Sequence, residues 1–168
     1  MRTDPQFVPI AYQAKLATPF AVLGIFTNSE AVSGIEFLPL TTPPQAAQSS
    51  LAQQACDAVL AYLRDPDYRF NLPIAISGTL HQRKVWLALA ALPVGVTCNY
   101  ADLAKQVGSS PRAVGQACGS NPLPLIIPCH RVLAKKGIGG FMHSTDCSAL
   151  SIKQWLLRHE ATSQRSAA

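Results

Sequence analysis

No apolar stretch in this sequence approaches the roughly 20 residues that a membrane-spanning helix requires, which excludes a helical membrane protein. The segment Pro19 to Phe26 is hydrophobic, but it is too short and lacks the basic flank of a signal peptide. It reads as a strand, and the protein as cytoplasmic. There is no C-x-x-C pair either. The five cysteines (Cys56, Cys98, Cys118, Cys129, Cys147) are scattered and odd in number, which argues against a disulfide framework; reduced thiols and no metal site are expected. Charged residues are scarce, at 14% against 48% hydrophobic, the reverse of what disorder needs. The 168 residues suffice to bury a core in one domain or two small ones, and they contain no internal repeat or low-complexity tract.

The charge that is present is uneven. A net charge of +5 favours a polyanionic partner, although it serves solubility equally well. Basic residues recur at Lys105, Arg112, Arg131, Lys135, Lys136 and Lys153, whereas Asp4, Glu30, Glu36, Asp57, Asp65 and Asp67 all lie in the first half. That asymmetry places an anion-binding surface in the C-terminal half.

In the first half, a strand is expected over residues 20–27, a turn at Asn28-Ser29-Glu30, and a second strand over 34–38, together an antiparallel hairpin. Residues 41–50 form a loop. Leu51, Ala55, Val59, Leu60 and Leu63 then recur with helical spacing as far as Arg64, predicting a helix packed on a small sheet. Pro66, Pro73 and Gly78 punctuate the stretch after that helix, and a domain boundary is placed near 77–79.

The second half predicts short helices over 81–91 and 101–107, the latter with Asn99 as N-cap and Gly108 as C-terminal glycine. A further helix begins after a serine cap at Pro111. Helix, short glycine turn, helix is the helix-turn-helix pattern, with an ordinary αα-hairpin as the alternative. Ala113, Gly115 and Ala117 leave the second helix little bulk beyond Arg112, so it can approach a nucleic-acid backbone closely and insert that one side chain.

Reactive chemistry concentrates at one place. The run Leu125-Ile126-Ile127, read as a strand, breaks at Pro128 and delivers Cys129-His130-Arg131-Val132. A thiolate is the nucleophilic form of cysteine, and a neighbouring imidazole or cation can lower its pKa. Cys129 is therefore the candidate nucleophile, against the alternative of a buried structural cysteine.

Taken together, the motifs resemble the O6-alkylguanine-DNA alkyltransferase family. They are Ser77-Gly78-Thr79, Gln82, Val85-Trp86, Leu92-Pro93-Val94-Gly95, Tyr100 with Leu103-Ala104, Arg112-Ala113-Val114-Gly115, Asn121-Pro122, Pro128-Cys129-His130-Arg131-Val132 and Leu156-Leu157-Arg158-His159-Glu160. The resemblance covers residues 77–160 and is loose before them. It implies a small RNase-H-like α/β domain over 1–77, then a helical, winged-helix or helix-turn-helix-like domain over 78–168.

It also implies suicidal DNA repair. An alkyl group would pass irreversibly from O6-alkylguanine in double-stranded DNA, with O4-alkylthymine as a further candidate, to Cys129 of a monomeric protein that uses no cofactor and no metal. By resemblance, His130 activates the thiol through a water, Glu160 orients His130, Tyr100 protonates or hydrogen-bonds the leaving base, and Asn121 braces the active-site segment. Arg112 fills the stack vacated by the flipped base. Ala113, Gly115, Tyr100, Ala101, Arg131 and Lys135 face DNA, entered from the minor groove, and Val132, Phe141, Met142 and His143 form the base pocket. Read without the resemblance, Tyr100 is equally a core tyrosine, and Glu160 the polar end of an amphipathic helix.

The chain departs from the family pattern twice. The turn before Arg112 is shorter, and the loop after Gly139-Gly140 is longer, with Phe141-Met142-His143 where a tyrosine and small residues are common. The bulkier loop bears on which alkyl groups fit and on the rate. His81 reads as a helix-start residue rather than a ligand. Two other classes stay open: a non-catalytic, alkyltransferase-like binder that flags alkylated DNA, and an unrelated Cys-His hydrolase working through an acyl-enzyme.

Overall fold

The computed structural model describes residues 11–166; Asp4, one of the acidic residues of the first half, lies outside them. Three antiparallel strands come first, β1 (Ala14–Ala17), β2 (Val22–Thr27) and β3 (Val32–Leu38), in the order β1-β2-β3. The expected hairpin is β2–β3, turned at Asn28, whose Oδ1 accepts from the amides of Glu30 and Ala31. β1 has no clear sequence signal, because Ala-Lys-Leu-Ala has no β-branched residue and alternates weakly; pairing with β2 makes it a strand.

Helix α1 (Ser50–Arg64) starts where Ser49 caps the Ala52 amide, and it buries Ala52, Ala55, Val59 and Tyr62 in one core with Leu23 and Ile25. Small residues dominate that face, so the helix can lie close to the sheet. Leu60, expected on the buried face, is exposed: it is one residue past Val59 and so points about 100° away.

Helix α2 (Leu80–Ala90) opens with a reciprocal capping box between Thr79 and Gln82, worth about 1 kcal/mol. A two-residue strand β4 (Cys98–Asn99) leads into α3 (Tyr100–Val107), which Asn99 caps. Gly108 ends α3 at φ 66°, a left-handed position that suits glycine. Ser110 and Pro111 then start α4 (Pro111–Gly119). Trp86 Nε1 donates to the Ala117 carbonyl at 2.8 Å, so α2 is pinned beneath α4.

The expected strand over 125–127 does not form. Pro122, Pro124 and Pro128 remove amide donors, Leu125 adopts φ 74°, and the segment closes on itself through Ile127 N to Leu123 O at 2.8 Å. A 3-10 turn, Cys129–Arg131, comes next, and then β5 (Val132–Leu133), parallel to β4. Finally α5 (Cys147–Ser166) buries Lys153, Leu156 and Glu160 on one stripe. Phe20 packs on Trp155 and Phe37 on Phe141, so the N-terminal sheet supports both α5 and the loop before it.

Candidate active site

Asn121 organises the segment that carries Cys129. Its side-chain amide donates to the Ile127 carbonyl at 2.7 Å, and its Oδ1 accepts from Leu123 N at 3.0 Å. A buried asparagine thus replaces the hydrogen bonds that a strand would have supplied. It sets Cys129 on the 3-10 turn, buried, with its thiol 3.9 Å from Met142 Sδ. Burial pushes that thiol up to about 11, only partly opposed by the Asn121 side chain and the Lys153 charge. Cys129 therefore rests as a neutral thiol, not the thiolate that its neighbours suggested, and would need a base to act as a nucleophile.

His130 is buried and points the other way, with Nε2 2.8 Å from Glu160 Oε1. Burial holds the ring below its usual 6.5 in spite of Glu160, so it stays neutral. Its Nδ1 has no hydrogen-bond partner among the described residues. Glu160 accepts from five donors. They are His130 Nε2, Arg131 Nε and Nη2 at 2.8 Å each, Tyr62 OH at 2.9 Å and the Gly95 amide at 3.4 Å. Burial raises the carboxyl, but the hydrogen bonds and charges of His130 and Arg131 outweigh it and hold Glu160 well below the usual carboxylate range.

Arg131 corrects an expectation. The sequence puts it on the DNA-facing surface, yet it is buried, pairs with Glu160 through two nitrogens and donates Nη1 to the Leu92 carbonyl at 2.5 Å. A guanidinium so occupied is unavailable to a phosphate. Lys153, counted with the surface lysines, is likewise wholly buried. Its Nζ donates to the carbonyls of Val132 (2.6 Å) and Gly140 (2.8 Å), and burial lowers it to about 8. Sequence reasoning missed this residue. The available signal was a lone lysine on the apolar stripe of α5, seven residues before Glu160.

A cavity of about 380 Å³ opens beside Cys129, lined by Tyr100, Gly115, Cys118, Phe141, Met142 and His143 among others. Val132 does not line it; it lies in the core below. Tyr100 is half-buried, its hydroxyl donating to the Gly140 carbonyl at 3.4 Å, and burial pushes its pKa up to about 12. Phe141 and Ser144 pair around a two-residue turn in which Met142 (φ 50°) and His143 (φ 59°) both take left-handed backbone. That costs about 1–2 kcal/mol per residue. Tertiary contacts hold it there: Met142 lies on the Cys129 thiol, and His143 bonds Ser120 Oγ at 3.1 Å and packs against Gly119, where a Cβ would strike the imidazole.

The helix expected to enter DNA has its small face half-buried at Ala113 and Gly115, with Arg112 exposed at its N-terminus. Ala101 is half-buried at the start of α3, and Lys135 is exposed after β5. His81 is half-buried and bonds Ser109 Oγ at 2.7 Å. None of the helices among the described residues is long and apolar enough to cross a membrane.

A buried Cys-His-Glu constellation beside a cavity, walled by residues of the tightly turned α3–α4 pair, defines a protein in which a thiol, an imidazole and a carboxylate meet at one enclosed site. Residues 80–162 match the sequence profile described as the DNA-binding domain of 6-O-methylguanine DNA methyltransferase, and this part of the chain belongs to that family. It is 46% identical over 91 residues to the methylated-DNA–protein-cysteine methyltransferase of Archaeoglobus fulgidus, covering 54% of this chain and 62% of that one. With a probable methylated-DNA–protein-cysteine methyltransferase of Acanthamoeba polyphaga mimivirus it shares 43% over 96 residues, 56% of this chain and 61% of the relative. The chain thus spans less than two thirds of these curated relatives. The crystal structure of Mycobacterium tuberculosis O6-methylguanine methyltransferase superposes with a TM-score of 0.76 at 28% identity, covering 90% of this chain and 93% of that one. The same protein in complex with DNA gives 0.73 at 28% identity, covering 91% and 94%.

Proposed function

We propose that this protein repairs DNA by moving the alkyl group of O6-alkylguanine, with O4-alkylthymine as a further candidate substrate, irreversibly to Cys129, each molecule acting once. The observation that carries the reading is the buried Cys129, beside a base-sized cavity, followed directly by a neutral His130 whose far nitrogen is held by Glu160. Under this reading His130 Nδ1 takes the thiol proton through a water. The thiolate attacks the alkyl carbon, forming the S–C bond as the C–O6 bond breaks, and Tyr100 donates to the departing guanine as it gains negative charge. Burial keeps Tyr100 protonated and so able to donate. Asn121 braces the nucleophile, while Phe141, Met142 and His143 shape the pocket; Met142 has to yield for the base to reach sulfur.

Arg112, Ala113 and Gly115 of α4, with Ala101 and Lys135, form the face toward DNA, and α4 enters the minor groove. Phosphate contacts make binding salt-sensitive. The reading also divides the chain into an RNase-H-like unit over 1–77 and a winged-helix-like unit over 78–168, and takes it to act as a monomer in the cytoplasm, where thiols stay reduced.

The test is incubation with a duplex carrying O6-methylguanine, followed by intact mass and peptide mapping. One methyl on Cys129 with unmodified guanine restored in the duplex in equal amount supports the reading; tight binding with no mass gain supports a binder that flags the lesion. Arg112→Ala is expected to slow repair of the duplex by about tenfold or more, because flipping costs a few kcal/mol, while reaction with free O6-methylguanine base is spared. Equal losses on duplex and free base in single-turnover assays would remove Arg112 from the flipping role.

A further inference from the structure

Tyr62 lies near the end of α1, outside every motif shared with the alkyltransferases, and its side chain is buried. Its hydroxyl reaches Glu160 Oε1 at 2.9 Å across 98 residues of chain. The same oxygen accepts from His130 Nε2 and Arg131 Nη2. An ionised carboxylate offers about two lone-pair sites per oxygen, so phenol, guanidinium and imidazole share one acceptor.

We propose that Tyr62 is a positioning residue for alkyl transfer: its hydroxyl fixes the Glu160 carboxylate against His130 and limits how strongly that carboxylate draws a proton onto the ring. The inference rests on the transfer reading and extends it to the N-terminal part of the chain. That part then supplies a group to the site rather than merely supporting it.

Burial explains why such a group is useful. An unshared Glu160 would favour the imidazolium, and an imidazolium cannot accept the Cys129 proton. The groups facing His130 are Glu160 and Lys153 from α5 and Arg131 from its own turn. Those facing Tyr62 are Glu160, Arg131 and His159, whose Nε2 bonds the Tyr62 carbonyl at 2.7 Å and whose ring meets the phenol edge-on at 5.1 Å. From the segment after α2 come the Leu92 carbonyl on Arg131 and the Gly95 amide on Glu160. Asp67 and Arg83, both exposed, line the cavity of about 1000 Å³ behind Tyr62 and Arg131. Among the groups bonded to Glu160, Tyr62 is a neutral side-chain donor that can be removed without leaving a charge buried and unpaired.

Tyr62→Phe deletes only the hydroxyl. Single-turnover transfer from methylated duplex and from free O6-methylguanine base is measured from about pH 5 to pH 9, and the His130 ring titration is followed by NMR. Transfer is expected to slow about tenfold on both substrates alike, with duplex affinity unchanged, while the acid limb of the rate profile and the His130 midpoint both move to higher pH. 3-Fluorotyrosine at position 62, a stronger donor of nearly the same shape, should move the midpoint the opposite way. An unmoved midpoint in both variants overturns the proposal, as does a Tyr62→Leu variant that slows transfer no more than Phe with the profile unmoved. The titration needs no transfer. If the wild type takes up no methyl yet the midpoint shifts with the phenol, the transfer reading fails and the Tyr62–Glu160–His130 coupling stands.

Discussion

Cys129→Ala is expected to take up no methyl at all while keeping duplex affinity within about twofold of wild type, since affinity comes from phosphate and groove contacts. The loss is complete because no other group lining the cavity can replace the thiol. Cys118 lines the same cavity, but burial pushes it up to about 12, and no base is bonded to it. Alanine leaves a small void against Met142 Sδ, which costs on the order of 1 kcal/mol, so the fold persists and binding can be read cleanly. Cys129→Ser should be equally inactive, because an alcohol is a far weaker nucleophile toward a saturated carbon than a thiolate. Intact mass after exposure to methylated duplex, with a binding isotherm at two salt concentrations, checks both halves; a methyl recovered on any other residue would unseat Cys129.

Glu160→Gln should be the most damaging change to stability. It removes the countercharge of a buried Arg131 and leaves the Nε2–H of His130 facing an amide, a situation that costs about 3–5 kcal/mol. Coupling Glu160→Gln with Arg131→Met should return much of that stability, because no buried charge is then left unpaired, yet return none of the transfer rate, because His130 remains unoriented. Urea midpoints and single-turnover rates on the single and double variants separate the two effects.

The pH dependence arises from the same pair. Glu160 is held below its usual 4.5, so its contribution is complete above that value and drains away as pH falls below it toward the lowered native value. His130 is held below its usual 6.5, so below that value the unfolded chain takes up a proton that the native protein does not. Both act in one direction, and the urea midpoint of the wild type should fall steadily between about pH 7 and pH 4. A midpoint flat across that range would contradict the buried pair.

How much of the fold and site is legible in the sequence depends on how far apart the cooperating residues lie. The caps at Asn99, Gly108 and Ser110, the proline at the start of α4 and the β2–β3 hairpin are readable, because each is decided by groups within a few residues of one another. The same holds for the juxtaposition of Cys129 and His130, which are neighbours in the chain. The features that sequence reasoning misreads turn on how side chains are finally partnered, within a few residues for the 125–127 segment and across about 20 to 30 residues for the buried cations. Residues 125–127 have the composition of a strand, but three prolines and the buried Asn121 amide turn them into a closed loop. Arg131 and Lys153 have the character of surface cations, and only the carboxylate and carbonyls that meet them in the interior offset the cost of burying them.

The sequence by itself thus determined the helical pair and the juxtaposition of Cys129 with His130, since steric restriction at proline, capping at serine and asparagine, and adjacency in the chain act locally. The tertiary structure alone decided that α1 and α5 deliver Tyr62, Lys153 and Glu160 to one side of the Cys129–His130 turn and that Met142 and His143 close the other. Such convergence has no local signature. It arises because buried polar groups must find partners, and the nearest ones in space belong to helices that the packing of the apolar core, not the order of the chain, brings together.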